Sequence, residues 1–236
     1  MEVDMMKTVF ITGGNKGIGL ALGKELGKAG WHVIIGARNK ERAQTALGTL
    51  KSAGIEHVDF VLIDLSDSDS IAAAIQTIEA DFTDLDLLIN NAGVAGSHGP
   101  STSVALDELH STMQINFFGT FQLTQGLLPI LEKNKGRIGN ITITTGPNPL
   151  WNPLAYKASK AAQNVMMHAL ALDFAKENKN IEIFSIHPGP TTTDLNGNMT
   201  APGFHTAAEI GSLTAELLLD EKKHQGEFIE LFTELR

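Results

Sequence analysis

The chain has no cysteine, one tyrosine and two tryptophans among its 236 residues. Without cysteine there is no disulfide, no thiolate nucleophile and no cysteine-ligated metal; the composition fits a reducing compartment, and the cytoplasm is the expected location. Cations are scarce as well. Lys and Arg total 18 against 27 Asp and Glu, a formal net charge of −9, so a nucleic acid or an anionic membrane surface would need a local basic patch. Lys133, Lys135 and Arg137 come nearest to one and read as a solvated helix end. Neither nucleic acid nor membrane is expected as a partner. No apolar run is long enough to span a bilayer, and the opening M-E-V-D-M-M-K lacks the basic-then-apolar order of a signal peptide. The eight histidines show no metal-ligand spacing; His187 and His205 stand alone, without an acidic partner at helical distance, and no metal is expected.

What the chain does have is alternation. Strand-like apolar runs fall at Thr8–Thr12, His32–Ile35, Val58–Ile63, Leu85–Ile89, Arg137–Ile143, Ile181–Ile186 and Glu227–Leu231. Helical periodicity fills the intervals Gly17–Ala29, Lys40–Ala53, Ser68–Phe82, Ala105–Leu131, Ala155–Glu177 and Ala207–Leu219. Strict strand–helix alternation requires crossover connections, hence a parallel sheet covered on both faces. Near-continuous apolar strands agree, because both faces of such a sheet are buried. The expectation is one α/β domain over residues 1–236, a doubly wound sheet of about seven strands. Two irregular stretches, Gly93–Ser103 and Pro188–Gly203, follow strands and lie where such sheets bind ligands.

Residues 8–19 read T-V-F-I-T-G-G-N-K-G-I-G. Glycine directly after a strand allows a tight turn and close backbone approach to a ligand. The helix that follows offers free N–H groups and a partial positive charge to an anion. The turn lacks the Gly-Lys-Ser/Thr ending of a triphosphate loop, which favours a dinucleotide. Where NAD-type sites carry a carboxylate at the end of the second strand, this chain has I-I-G-A-R-N, with Ala37 and Arg38. Arg38 together with Lys16 suits a 2′-phosphate, so the expected cofactor is NADP(H).

The stretch A-Y-K-A-S-K-A-A places Tyr156 and Lys160 four apart on one helical face. A phenol with pKa about 10 is a poor acid–base group at neutral pH, and a close ammonium is expected to lower that value. T-G-G-N-K-G-I-G (12–19), D-L-S (64–66), N-N-A-G (90–93), Asn116 in Q-I-N-F-F-G-T, Y-K-A-S-K (156–160) and H-P-G-P-T-T-T-D (187–194) follow one another in order. On these motifs the chain resembles the short-chain dehydrogenase/reductase family over almost its whole length. The details G-N-K-G-I-G, A-R-N and G-E-F-I-E look most like its NADPH-using carbonyl-reductase branch, the C-factor type included.

The resemblance implies an NADPH-dependent reduction of a small or medium ketone or aldehyde to an alcohol. Gly13, Gly17 and Gly19 would form the cofactor turn, lined by Asn15, Lys16 and Ile18. Asp64 and Leu65 would flank adenine, Asn91, Ala92 and Gly93 would pass under the ribose, and Pro188, Gly189 and Thr191 to Thr193 would border the nicotinamide. Tyr156 would donate a proton, Lys160 would hold the ribose and depress the tyrosine pKa, and Asn116 would support a water chain.

One position departs from the family pattern. The serine expected thirteen residues before Tyr156 is Ile143, and counting along N-I-T-I (140–143) gives the same answer. A hydroxyl there orients the carbonyl, a role worth roughly 3–4 kcal/mol in comparable oxyanion sites. Thr142 or Thr144 could replace it after a strand shift, although alternation points both away from the side of Ile143; a bulge near Gly146-Pro147 could re-aim Thr144. The alternative is an impaired NADP(H)-binding sensor or interaction protein. Beyond Thr193 the resemblance implies a substrate cap, here short, where the residues alone equally suit a plain surface loop; as a cap it would have Trp151, Met199 and Phe204 as apolar lining candidates, with the proline-rich 147–153 stiffening the opposite wall. The helices around Ala105–Leu131 and Tyr156 are apolar on more than one side, and the resemblance implies a homodimer or homotetramer through them.

Overall fold

The computed structural model describes residues 6–146, 148, 151–220 and 222–232. The first half of the chain alternates β1 (Thr8–Thr12), α1 (Gly17–Lys28), β2 (His32–Ala37), α2 (Lys40–Ser52), β3 (Val58–Leu62), α3 (Ser68–Asp81) and β4 (Leu85–Asn90). The second half runs through α4 (Leu106–Met113), a π-helical turn (Gln114–Gly119), α5 (Thr120–Lys133), β5 (Arg137–Ile141), α6 (Leu154–Lys176) and β6 (Glu182–His187). Two-residue strands β7 (Thr191–Thr192) and β8 (His205–Thr206) then precede α7 (Ala207–Leu218) and β9 (Phe228–Glu230). The seven long strands form one sheet in the order β3-β2-β1-β4-β5-β6-β9, all pairings parallel. This is the doubly wound, Rossmann-type sheet that the alternation predicts.

Both faces are closed. Phe10, Ile34, Leu88, Ile138 and Ile183 face α3, α5 and α6 through Ile71, Leu123, Leu127 and Met167. Their strand neighbours Val9, Ile11, Val33, Ile35, Leu87 and Ile89 face α1, α2 and α7 through Leu22, Leu26, Leu50 and Leu218. Each such side chain, fully buried, contributes about 1.5–3 kcal/mol of apolar transfer, which fixes the strand register and with it the position of every loop. Among the described residues, no helix is long and apolar enough to cross a membrane.

Of the boundaries that differ from expectation, three bear on the site. Strand β2 runs on to Ala37, carrying the backbone to the edge of Arg38. Strand β5 stops at Ile141 rather than Ile143 because side chains of α6 take over its backbone: Lys160 Nζ donates to the Ile141 carbonyl (2.9 Å) and Asn164 Nδ2 to the Ile143 carbonyl (3.1 Å). The segment Ala105–Leu131 is not one helix. It widens into the π turn, which turns Asn116 inward and sets Gly119 against the chain after β3. Arg137 is not a solvated helix end either; it opens β5 and pairs with Glu182 (3.0 Å).

A Cβ at Gly119 would overlap the Leu65 carbonyl oxygen, an atom of the backbone that cannot rotate away. Gly119→Ala is expected to lower unfolding free energy by about 1–3 kcal/mol, read as a lower urea midpoint at unchanged slope.

Candidate active site

One cavity of about 850 Å³ opens at the carboxyl ends of the strands, where β1 lies between β2 and β4. Every cofactor residue named from the sequence lines it except Gly19. A Cβ at Gly19 would lie 2.6 Å from Asn91 Nδ2 and 2.7 Å from the Gly13 carbonyl, so this glycine packs beneath the turn instead of facing the cavity.

One end of the cavity gathers a glycine turn, a helix N-terminus and cations. Gly13 has φ +64°, and a Cβ there would sit 3.1 Å from Ala92 Cα, the point where the β1 and β4 loops meet. Thr12 Oγ1 accepts from the Asn91 and Ala92 amides (3.0 and 3.1 Å), clamping those loops together. Helix α1 begins beside them with no side-chain cap and no acidic residue in its first turn, which leaves its N–H groups available. Arg38 and Lys16 both line this end. Lys16 is paired with Asp194 (2.9 Å) across the mouth. Asp64 is held below its usual carboxylate range, first by the Ser66 hydroxyl and amide and further by the Arg38 charge. Arg42 also lines the cavity and was missed from sequence. It lies four residues after Arg38 in the first turn of α2, where Asn39 caps the Arg42 amide (2.9 Å), a spacing that could have revealed it.

At the other end lie Tyr156 and Lys160, 5 % and 2 % exposed. Lys160 Nζ is 5.7 Å from the tyrosine ring centre. Burial brings the Lys160 pKa down to about 7, and it pushes the Tyr156 phenol above its usual value. The expectation that the lysine lowers the tyrosine pKa is therefore corrected: desolvation of both groups outweighs their attraction. Asn116 does not line the cavity. It accepts from the Val94 amide (2.8 Å), donates to the Val94 carbonyl (2.9 Å) and donates to Ser159 Oγ (2.9 Å). Ser159 in turn donates to the Tyr156 carbonyl (2.8 Å), so Asn116 ties the loop after β4 to the first turns of α6.

Ile143 and Thr144 both line the cavity. The Thr142 hydroxyl is taken by Asn164 Oδ1 (2.8 Å). With β5 ended at Ile141, strand alternation no longer dictates where Thr144 stands. Trp151 packs edge-on against Tyr156 (5.3 Å between ring centres) and lines the cavity with Met199 and Phe204. Pro147, Pro149 and Leu150 of the proline-rich wall, and with them the Gly146-Pro147 bulge, lie outside the described residues. His187 lines the cavity, and burial lowers its pKa. His205 does have an acidic partner at helical distance, contrary to expectation: Glu209 lies 3.9 Å from its Nδ1.

A tyrosine and lysine one helical turn apart, sharing one cavity with a glycine turn, invite comparison with known proteins. The family model for short chain dehydrogenase matches residues 7–202. This chain belongs to the short-chain dehydrogenases. It is 31% identical over 205 residues to a short-chain dehydrogenase of Penicillium roqueforti (strain FM164), covering 80% of each chain. It is 30% identical over 191 residues to the serine 3-dehydrogenase of Agrobacterium fabrum, covering 81% of this chain and 74% of that one. Among solved structures, a short-chain dehydrogenase from Shigella flexneri 2a complexed with NADP superposes with TM-score 0.85 at 27% identity, over 95% of this chain and 96% of that one. The present dehydrogenase is thus an oxidoreductase of a family that acts on small molecules. Its cradle fits a nicotinamide dinucleotide: the β1 glycine turn closes on the β4 loop with no room for a Cβ at Gly13 or Gly19, and the uncapped helix end beside it supplies donors for a pyrophosphate.

Because the Lys160 pKa is depressed to about 7 in the fold against about 10.4 unfolded, the unfolded chain binds more protons between those values. Stability should therefore rise with pH from about 7 to about 10 and lose that contribution as pH falls through 7. Lys160→Met is expected to flatten this slope, measured by urea unfolding across the range.

Proposed function

We propose that this dehydrogenase reduces a small or medium ketone or aldehyde to an alcohol with NADPH. The reading is carried by one cavity that holds Tyr156 and Lys160 at one end and Lys16, Arg38 and Arg42 at the other. The three cations suit a 2′-phosphate, and no acidic side chain follows β2 to take a ribose 2′-hydroxyl. Bound there, the nicotinamide would supply a hydride to the carbonyl carbon.

The chain's own residues do the rest. Tyr156 donates its phenolic proton to the carbonyl oxygen; burial raises its pKa and makes it a weaker acid, so the donation depends on a neighbouring cation to offset the charge left on the phenolate. Lys160, its pKa drawn down by burial, would hold the nicotinamide ribose and, when charged, offsets charge on the phenolate that forms. Asn116 keeps the loop after β4 and the Tyr156 turn in register and supports the proton supply behind them. Gly13 and the α1 amides would hold the pyrophosphate, Asp64 and Leu65 would flank the adenine, and Thr191 and Thr193 would border the nicotinamide. Trp151, Met199 and Phe204 give the substrate end an apolar wall, which suits an apolar or aromatic carbonyl.

A second reading rests on Ile143, which presents a branched alkyl group to the cavity at the position of the family serine. On it, the protein binds NADP(H) without turnover as a sensor or interaction protein. Thr144 is the hydroxyl that keeps the first reading intact.

Assembly follows the same pattern. An apolar groove lined by Phe117, Phe121, Leu128, Val165 and Leu170 runs between α5 and α6, and Val165 and Leu172 are 70% and 72% exposed. A second copy of the same chain is the proposed occupant, as homodimer or homotetramer.

With NADPH and a panel of aldehydes, ketones and diketones, wild type is expected to consume NADPH, and Tyr156→Phe to lower kcat by about 10²–10⁴-fold. Ile143→Ser should raise kcat. Turnover by that variant with none by wild type would transfer the protein to the second reading. Arg38→Asp should erase the preference for NADPH over NADH. Light scattering should find Val165→Glu as a monomer where wild type is a dimer or tetramer.

A further inference from the structure

The turn after β7 is bonded almost wholly to itself. Thr193 donates its amide to Asn196 Oδ1 (3.2 Å) and Asn196 Nδ2 donates to the Thr191 carbonyl (3.0 Å). Asn198 Nδ2 donates to Asp194 Oδ1 (3.2 Å), and the Thr192 hydroxyl donates to the Met199 carbonyl (3.0 Å). The turn's shape is held from within. Among the described residues, Lys16 is the one side chain from outside residues 191–199 that hydrogen-bonds to the turn, through Asp194 Oδ2 at 2.9 Å. Its tether therefore ends on a cation assigned above to the cofactor. The turn carries Met199 on the wall of the substrate end, while Asp194 and Lys16 lie on the wall of the same cavity.

Lys16 and Asp194 are each more than half exposed. An ion pair that open is weak and exchanges readily. A phosphate dianion arriving between Lys16, Arg38 and Arg42 offers Lys16 a stronger partner and repels the Asp194 carboxylate. Arg42, close enough to favour the Asp194 charge, is drawn to the same phosphate.

We propose that Asp194 is a built-in competitor for Lys16, displaced by the cofactor 2′-phosphate, so that phosphate recognition and release of the 193–199 turn are one equilibrium. The inference rests on the NADPH reading above and makes Asp194 a specificity-determining residue for it. A nucleotide without the 2′-phosphate leaves the Lys16–Asp194 pair in place and the turn tethered. One with it frees the turn and the Met199 wall it carries. Because binding couplings are reciprocal, whatever removes the carboxylate must strengthen binding of the phosphorylated nucleotide alone.

The test compares NADPH with NADH on wild type and Asp194→Asn, using calorimetry for affinity and amide hydrogen exchange over residues 193–199. In Asp194→Asn, NADPH should bind about two- to five-fold tighter, the ratio an exposed pair is worth, with NADH affinity unchanged. In wild type, exchange over the turn should be faster with NADPH than with NADH; in Asp194→Asn the two nucleotides should give equal exchange. An unchanged affinity ratio, or equal exchange in wild type, overturns the proposal while leaving the NADPH reading standing. Failure of wild type to bind NADPH at all overturns both.

Discussion

Parallel strands cannot be joined by tight turns, and this molecule is organised by that constraint. Each strand must be followed by a crossover, so the loops leaving β1, β4, β5 and β6 all emerge at one edge of the sheet. Because β1 sends its successors to one side and receives β4 on the other, the covering helices diverge there and a crevice opens. Gly13 and Ala92 meet at its floor with no room for a further Cβ. The cavity, the uncapped helix end and the tyrosine–lysine pair are consequences of that geometry.

Burial governs the chemistry within it. Lys160 is almost wholly enclosed, and its ammonium is turned to the Ile141 carbonyl at the end of β5. Desolvation acts on it and on Tyr156 in opposite directions, drawing a lysine and a tyrosine away from their usual pKa values and keeping the phenol protonated. At the other end the cations are open to solvent and matched by carboxylates, Arg38 by Asp64 and Lys16 by Asp194. One cavity thus joins a dry end suited to proton transfer and a wet end suited to exchanging anions.

Most of the architecture was legible in the pattern of apolar residues, because a strand buried on both faces and an amphipathic helix have different periods and neither depends on distant partners. The glycine turn was legible for a similar reason: its conformation is decided within a few residues. Two of the departures arise where one element's backbone is satisfied by another element's side chains. The end of β5 depends on Lys160 and Asn164, and the π turn depends on Asn116 finding Val94 and Ser159. No local period announces such partners.

What the amino-acid sequence determined by itself is the parallel sheet, its family, and the residue types gathered at the site, since these follow from local pattern and motif order. Only the tertiary structure decided how those residues behave: that Tyr156 gains a higher pKa rather than a lower one, that Asn116 braces the site without lining it, that Arg42 joins the cations, and that Lys16 is paired with a residue 178 positions away. The physical reason is that desolvation and ion pairing depend on distances through space, which a one-dimensional pattern does not contain.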